Sequence, residues 1–126
     1  MKLKSYEDLI VWQKALELAI EIYRVTTTFP KHETYGLTSQ LRRSAVSVPS
    51  NIAEGQGRLS TGEFKQFLGQ ARGSLHELQT QLRIAGRLAY LPRPEAEALL
   101  NQAAEVGRTL NGLLASLGIP GDKRSA

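Results

Sequence analysis

The sequence predicts an all-α protein, an up-down-up-down four-helix bundle. Two observations carry this. Four long stretches repeat apolar residues every three or four positions, the spacing that gathers them on one side of an α-helix. Between them lie short helix-ending connections: Phe29-Pro30, Gly55-Gln56-Gly57 and Tyr90-Leu91-Pro92. No stretch alternates in the manner of a strand. Long amphipathic helices joined by short connections pack as antiparallel neighbours. At 126 residues the chain suits one domain. It is expected over 1–120, with 121–126 as a disordered tail.

The first helix is predicted over 6–27. Ser5 can cap it, with Asp8 three residues on. Its apolar residues fall on two adjacent stripes, Leu9, Trp12, Leu16, Ala19, Tyr23 and Val11, Ala15, Leu18, Ile22, Val25. One stripe serves a core; two demand a second burial, inside the fold or against another subunit. The second helix is predicted over 33–55, with Leu37, Leu41, Ala45, Val48 and Ile52 as its buried line. Pro49 lies inside it, so a kink near 45–49 is expected, with Ser50 and Asn51 placed to bond backbone groups that the proline frees. The third is predicted over 61–89. Ser60 and Glu63 have capping-box spacing, and the apolar line runs from Phe64 through Leu75 and Leu82 to Ala89. The fourth is predicted over 94–117, opening on Pro94 and stopped by Gly118 and Pro120.

Composition narrows the function. With no cysteine, the chain has no disulfide, thiolate metal site or cysteine nucleophile. No apolar run approaches the roughly 20 residues that span a bilayer. A cytoplasmic protein without a membrane partner is expected. The net charge is +4, unevenly placed. From Arg42 to Arg93 there are eight basic and three acidic residues; the rest holds eight basic and nine acidic. A middle this basic is compatible with nucleic acid.

Catalytic groups are scarce. His32 and His76 each neighbour a glutamate, but no Glu-x-x-His pair of a di-iron bundle occurs. Gly55-Gln56-Gly57-Arg58 lacks the glycine fingerprint and lysine of a phosphate loop, and reads as a helix-breaking turn. Ser44, Ser47 and Ser50 have no histidine near them in sequence. A non-enzymatic protein is expected, with no cofactor, metal or small-molecule substrate.

A basic stripe stands out on the third helix. Lys65, Arg72, His76, Arg83 and Arg87 fall within about 60° of one another, centred about 130° from the apolar line, over about 33 Å. That length suits several phosphates of a nucleic-acid backbone. An ordinary solvated face, paired to glutamates of the first or fourth helix, is the competing reading. Arg42 and Arg43 extend the basic set, with a salt bridge to Glu54 or to a neighbouring chain as their other role. A second polar line, Glu63, Gln66, Gln70, Glu77 and Gln81, ends in Ile84 and Leu88. It reads equally as a subunit contact or as exposed surface.

These residues resemble a known family. Leu9-Ile10-Val11-Trp12-Gln13-Lys14-Ala15, Tyr23 with Thr28-Phe29-Pro30, and Tyr35-Gly36-Leu37 match its opening pattern. Its most distinctive stretch is matched nearly end to end by residues 40–55, Gln40-Leu41-Arg42-Arg43-Ser44-Ala45-Val46-Ser47-Val48-Pro49-Ser50-Asn51-Ile52-Ala53-Glu54-Gly55. Gly57-Arg58, Glu63-Phe64, Phe67-Leu68, Gly73-Ser74 and Glu77-Leu78 continue it. The chain is similar to the four-helix bundle proteins encoded within intervening sequences of bacterial 23S rRNA genes, relatives of the accessory variability determinant proteins of diversity-generating retroelements. The resemblance covers about residues 5–91. It implies a ring-like homopentamer without catalytic activity. In the retroelement branch it implies binding to a reverse transcriptase and to RNA or DNA through basic surface. The candidate contact residues are Arg42, Arg43, Arg58, Lys65, Arg72, Arg83 and Arg87. The alternative is a homo-oligomeric protein–protein adaptor with no direct nucleic-acid role.

Overall fold

The computed structural model describes residues 5–118. The expected tail at 121–126 lies outside them. Four helices form the fold: α1 (Ile10–Thr26), α2 (Leu37–Gln56), α3 (Thr61–Arg87) and α4 (Arg93–Ser116). Each packs on its neighbours in chain order, and α4 closes the bundle against α1. The apolar lines converge on one core, with Leu18, Ile22, Leu41, Ile52, Leu75, Leu82 and Leu110 among its fully enclosed side chains.

Three boundaries depart from the sequence reading. Ser5 and Asp8 do pair, but around a short 3-10 turn (Tyr6–Asp8), not around α1. Leu9 then leaves the helical region, at φ −78° and ψ 122°, and buries its side chain, so α1 starts only at Ile10. A second 3-10 turn (Lys31–Glu33) takes the residues expected to open α2. At the far end of α3, Ala89 turns left-handed, at φ 61°. The Ala89 amide donates to the Gly86 carbonyl (3.1 Å) and the Tyr90 amide to the Ala85 carbonyl (2.9 Å). This pair of bonds is the motif that commonly ends helices. Ala89 is therefore exposed and past the helix end, not the last member of its buried line.

The most extensive helix contact is that of α2 with α3. Ser44, Ser47, Asn51 and Gly55 recur at three- and four-residue steps, one face of a helix, and that face meets α3. The Ser44 hydroxyl donates to Gln81 Oε1 (2.7 Å), and the Ser47 and Ser74 hydroxyls lie 2.9 Å apart. Asn51 Nδ2 donates to the Ser47 carbonyl (2.9 Å), not to that of Ala45, four residues before Pro49. α2 continues through the buried Pro49. At Gly55 the two helices leave no room: a Cβ there would stand 2.6 Å from Phe67 Cβ. The polar line on α3 is thus partly a seam, with Gln81 buried and Glu77 paired to Arg43 at 3.5 Å. Glu63 takes the Ser60 cap through its amide (3.1 Å).

The seam yields one prediction. Alanine is the better helix former by about 1 kcal/mol. Gly55→Ala nevertheless destabilises the bundle, because overpacking costs about 1–3 kcal/mol. A thermal melt that leaves Tm unchanged or raised would refute the close approach.

Glu33 ties two loops together at one end of the bundle. Its Oε1 accepts from the Leu37 amide (2.9 Å) and caps α2; its Oε2 accepts from the Tyr90 hydroxyl (2.9 Å), in the α3–α4 connection. The Phe29 and Tyr90 rings pack alongside, 5.5 Å apart. Gly36 keeps the space clear, since a Cβ there would sit 2.5 Å from Glu33 Oε1. The Leu37 amide first, then the Tyr90 hydroxyl, holds the Glu33 carboxylate below its ordinary value of 4.5. A depressed carboxylate contributes stability that is complete above the ordinary range and is lost as pH falls through the folded value. Acidification from neutral to about pH 3 should therefore lower Tm. Glu33→Gln should have a lower Tm at neutral pH and a smaller fall on acidification. An undiminished fall would show that the clasp is not what titrates.

Candidate nucleic-acid interface

The seven candidate cations have separate fates. Three are engaged within the bundle. Arg42 Nε donates to Thr26 Oγ1 (2.9 Å), its Nη2 to the Tyr23 carbonyl (3.4 Å), and its guanidinium lies over the Tyr23 ring at 4.8 Å. It serves the carbonyl end of α1, where a cation is favourable, and not the expected Glu54. Glu54 belongs instead to Arg58 (2.7 Å), whose guanidinium covers the Phe67 ring at 4.6 Å. Arg43 bonds Gln40 and pairs with Glu77.

The stripe on α3 divides in two. Its first half leans on α4, where Arg72 Nη1 donates to Asn111 Oδ1 (3.2 Å) and Lys65 Nζ lies beside Gly118. Both side chains are half-buried. Its second half, His76, Arg83 and Arg87, is exposed. The reason is geometric. The stripe runs along the edge of α3 that α4 abuts, and long side chains there lie over the neighbouring helix. The uniformly outward line expected from spacing is therefore outward only toward Arg87.

Arg83 and Arg87 meet a third arginine that the candidate set omits. The five-residue connection after α3 returns the chain, so Arg93 opens α4 across from Arg87. The three line a groove of about 510 Å³ between the two helices. Leu82, Ala96 and Leu100 form its floor, and Gly86 stands 3.4 Å (as a Cβ position) from Ala96 Cβ. One acid, Glu97, shares the rim, with its carboxylate 3.9 Å from Arg93 Nε, both largely exposed. Such exposed pairs hold weakly. The signal for Arg93 was present in the basic middle of the chain and in the Tyr90-Leu91-Pro92 turn that folds it back.

A second surface lies elsewhere, between α1 and α2. Trp12, Leu16 and Ala19 of α1 with Val46, Pro49 and Ala53 of α2 line an apolar groove of about 270 Å³, with Tyr6 at one end. Ile20 and Tyr23 continue the strip, 40% and 45% exposed. Of the two stripes of α1, Val11, Ala15, Leu18 and Ile22 are buried in the core, whereas the one that runs through Trp12, Leu16, Ala19 and Tyr23 is only partly covered within one chain. Of the three serines weighed as nucleophiles, Ser44 and Ser47 are occupied in the α2–α3 seam.

No helix among the described residues is long and apolar enough to cross a membrane. No curated protein matches the chain. Among solved structures, it is similar to a protein of unknown function from the S23 ribosomal protein family of Bacteroides thetaiotaomicron. The TM-score is 0.75 at 25% identity, over 83% of this chain and 98% of that one. The family model for the 23S rRNA-intervening sequence protein matches residues 7–112. With the bundle, the seam built from residues 40–55 and that match in place, the chain belongs to the 23S rRNA-intervening sequence protein family.

Proposed function

We propose that this protein is a non-enzymatic, self-associating bundle of the cytoplasm that holds nucleic-acid backbone, RNA or DNA, against the α3–α4 end of its surface. The observation that carries the reading is the convergence of Arg83, Arg87 and Arg93 on one groove with only Glu97 to oppose them. Arg42 is held by Thr26 and Tyr23, whereas the exposed ion pairs of Arg43 and Arg58 hold weakly and leave both in the wider contact set. Phosphate contacts release counterions, so affinity falls with salt at a slope of about −0.9 per phosphate neutralised on duplex. Three arginines predict a slope near about −2.7 in log K against log salt. Gel shifts of duplex DNA and structured RNA at several salt concentrations measure it. Charge reversal of Arg83, Arg87 and Arg93 together should flatten the slope and weaken binding while the circular dichroism spectrum stays helical. Binding that survives the triple change ends this reading.

The apolar strip on α1 and α2 favours self-association. None of the residues that line its groove is charged, and the Arg42 guanidinium over Tyr23 is already engaged. Copies can therefore meet there without burying unpaired charge. The five-copy ring of the family resemblance is the expected assembly. Light scattering should give about five times the 13.9 kDa of one chain, and a monomer at micromolar concentration would exclude assembly. The adaptor alternative, in which the strip or the ring receives a protein such as a reverse transcriptase, is favoured if assembly occurs and no oligonucleotide binds.

A further inference from the structure

We infer that the groove between α3 and α4 is a seat for the terminal phosphate of a nucleic-acid strand; this rests on the backbone contact proposed above and narrows it. Three observations carry the inference.

The first is shape. The groove lies beside the end where α3 and α4 are joined, and residues 88–92 run across that end from one helix to the other. Glu33 holds that connection through Tyr90, and the side chain of Leu91 is buried beneath it. A strand passing along the groove would have to climb over this turn. A strand that ends in the groove has no such obstacle.

The second is charge. Three arginines against one glutamate give the rim a net charge of +2. An internal phosphodiester carries a single negative charge. A terminal phosphomonoester carries about −1.5 to −2 near neutral pH and offers three acceptor oxygens. Arg83 and Arg87 stand one turn apart on the same face of α3, and Arg93 faces them from α4. Guanidinium forks approaching from two sides match a phosphate with three free oxygens better than one with two.

The third is the floor. Leu82, Ala96 and Leu100 present apolar surface between the arginines. The sugar and base of the nucleotide that carries the phosphate can cover it. The volume, about 510 Å³, falls in the range of sites for small ligands, roughly 300–1,000 Å³.

The test compares one short single-stranded DNA sequence in three forms: 5′-phosphate, 3′-phosphate and hydroxyl at both ends. Fluorescence anisotropy on the full chain reads their affinities, with inorganic phosphate as competitor. One phosphorylated form should bind about tenfold more tightly than the hydroxyl form. Which form does so identifies the strand end. Arg93→Ala should bring that preference below about twofold; this side chain is 91% exposed, so the fold is not at stake. Millimolar inorganic phosphate should erode the preference as well. Equal binding of all three forms overturns the seat and leaves the backbone contact standing. No binding of any form overturns both.

Discussion

The bundle depends on how closely α2 and α3 approach. Their contact face on α2 is made of small or polar residues, Ser44, Ser47, Asn51 and Gly55, rather than leucines. Small side chains let the helices draw near, and their hydroxyls must then find partners inside the contact. They do so with Gln81 and Ser74. Among the described residues no buried side-chain polar atom lacks a partner. The larger residues of the same two helices, Leu41, Ile52, Leu75 and Leu82, are directed to the core where α1 and α4 cover them. The seam also accounts for the most distinctive stretch of sequence. Ser44, Ser47, Asn51 and Gly55 are packing residues, Arg42 bonds α1 and Arg43 pairs with Glu77 of α3.

A second constraint acts at one end. Glu33 caps α2 and receives the Tyr90 hydroxyl, so one carboxylate fixes both the start of α2 and the turn between α3 and α4. That turn brings Arg93 opposite Arg87, on the far wall of the groove. The electrostatics of the arginine cluster therefore rest on a clasp with no charge in the cluster itself. Its glycine, Gly36, leaves room for that carboxylate.

The sequence made the helices legible because their apolar lines are long and unbroken. It did not make their ends legible. Ser5 and Asp8 have the spacing of a helix cap, and the pattern cannot show that Leu9 will leave the helical region to reach the core. Ala89 continues an apolar line on paper, yet Leu91 must be buried and the chain must reverse to bury it. The candidate site was legible only in part. Spacing placed Arg83 and Arg87 on one face. It could not show that Arg42 would find Thr26 and Tyr23, 16 and 19 residues earlier in the chain. Nor could it show that a turn would add Arg93. A count of cations says how much charge a region holds, while the fold decides how much of it faces a partner.

The distribution of what remains uncovered follows from the order of the helices. Because α4 closes against α1, the α1–α2 groove and the α3–α4 groove lie on opposite sides of the bundle. The first is apolar and almost without free charge; the second is basic with an apolar floor. A copy seated on the first through any surface other than its own α3–α4 groove leaves the second open to solvent. Each added copy would then contribute another arginine groove to the assembly. Weak contacts at single grooves gain strength when several engage one strand or several strand ends, through the raised effective concentration of each later contact. A modest net charge of +4 per chain is thus no obstacle to binding a polyanion, provided that assembly repeats the groove and the internal arginines keep their partners.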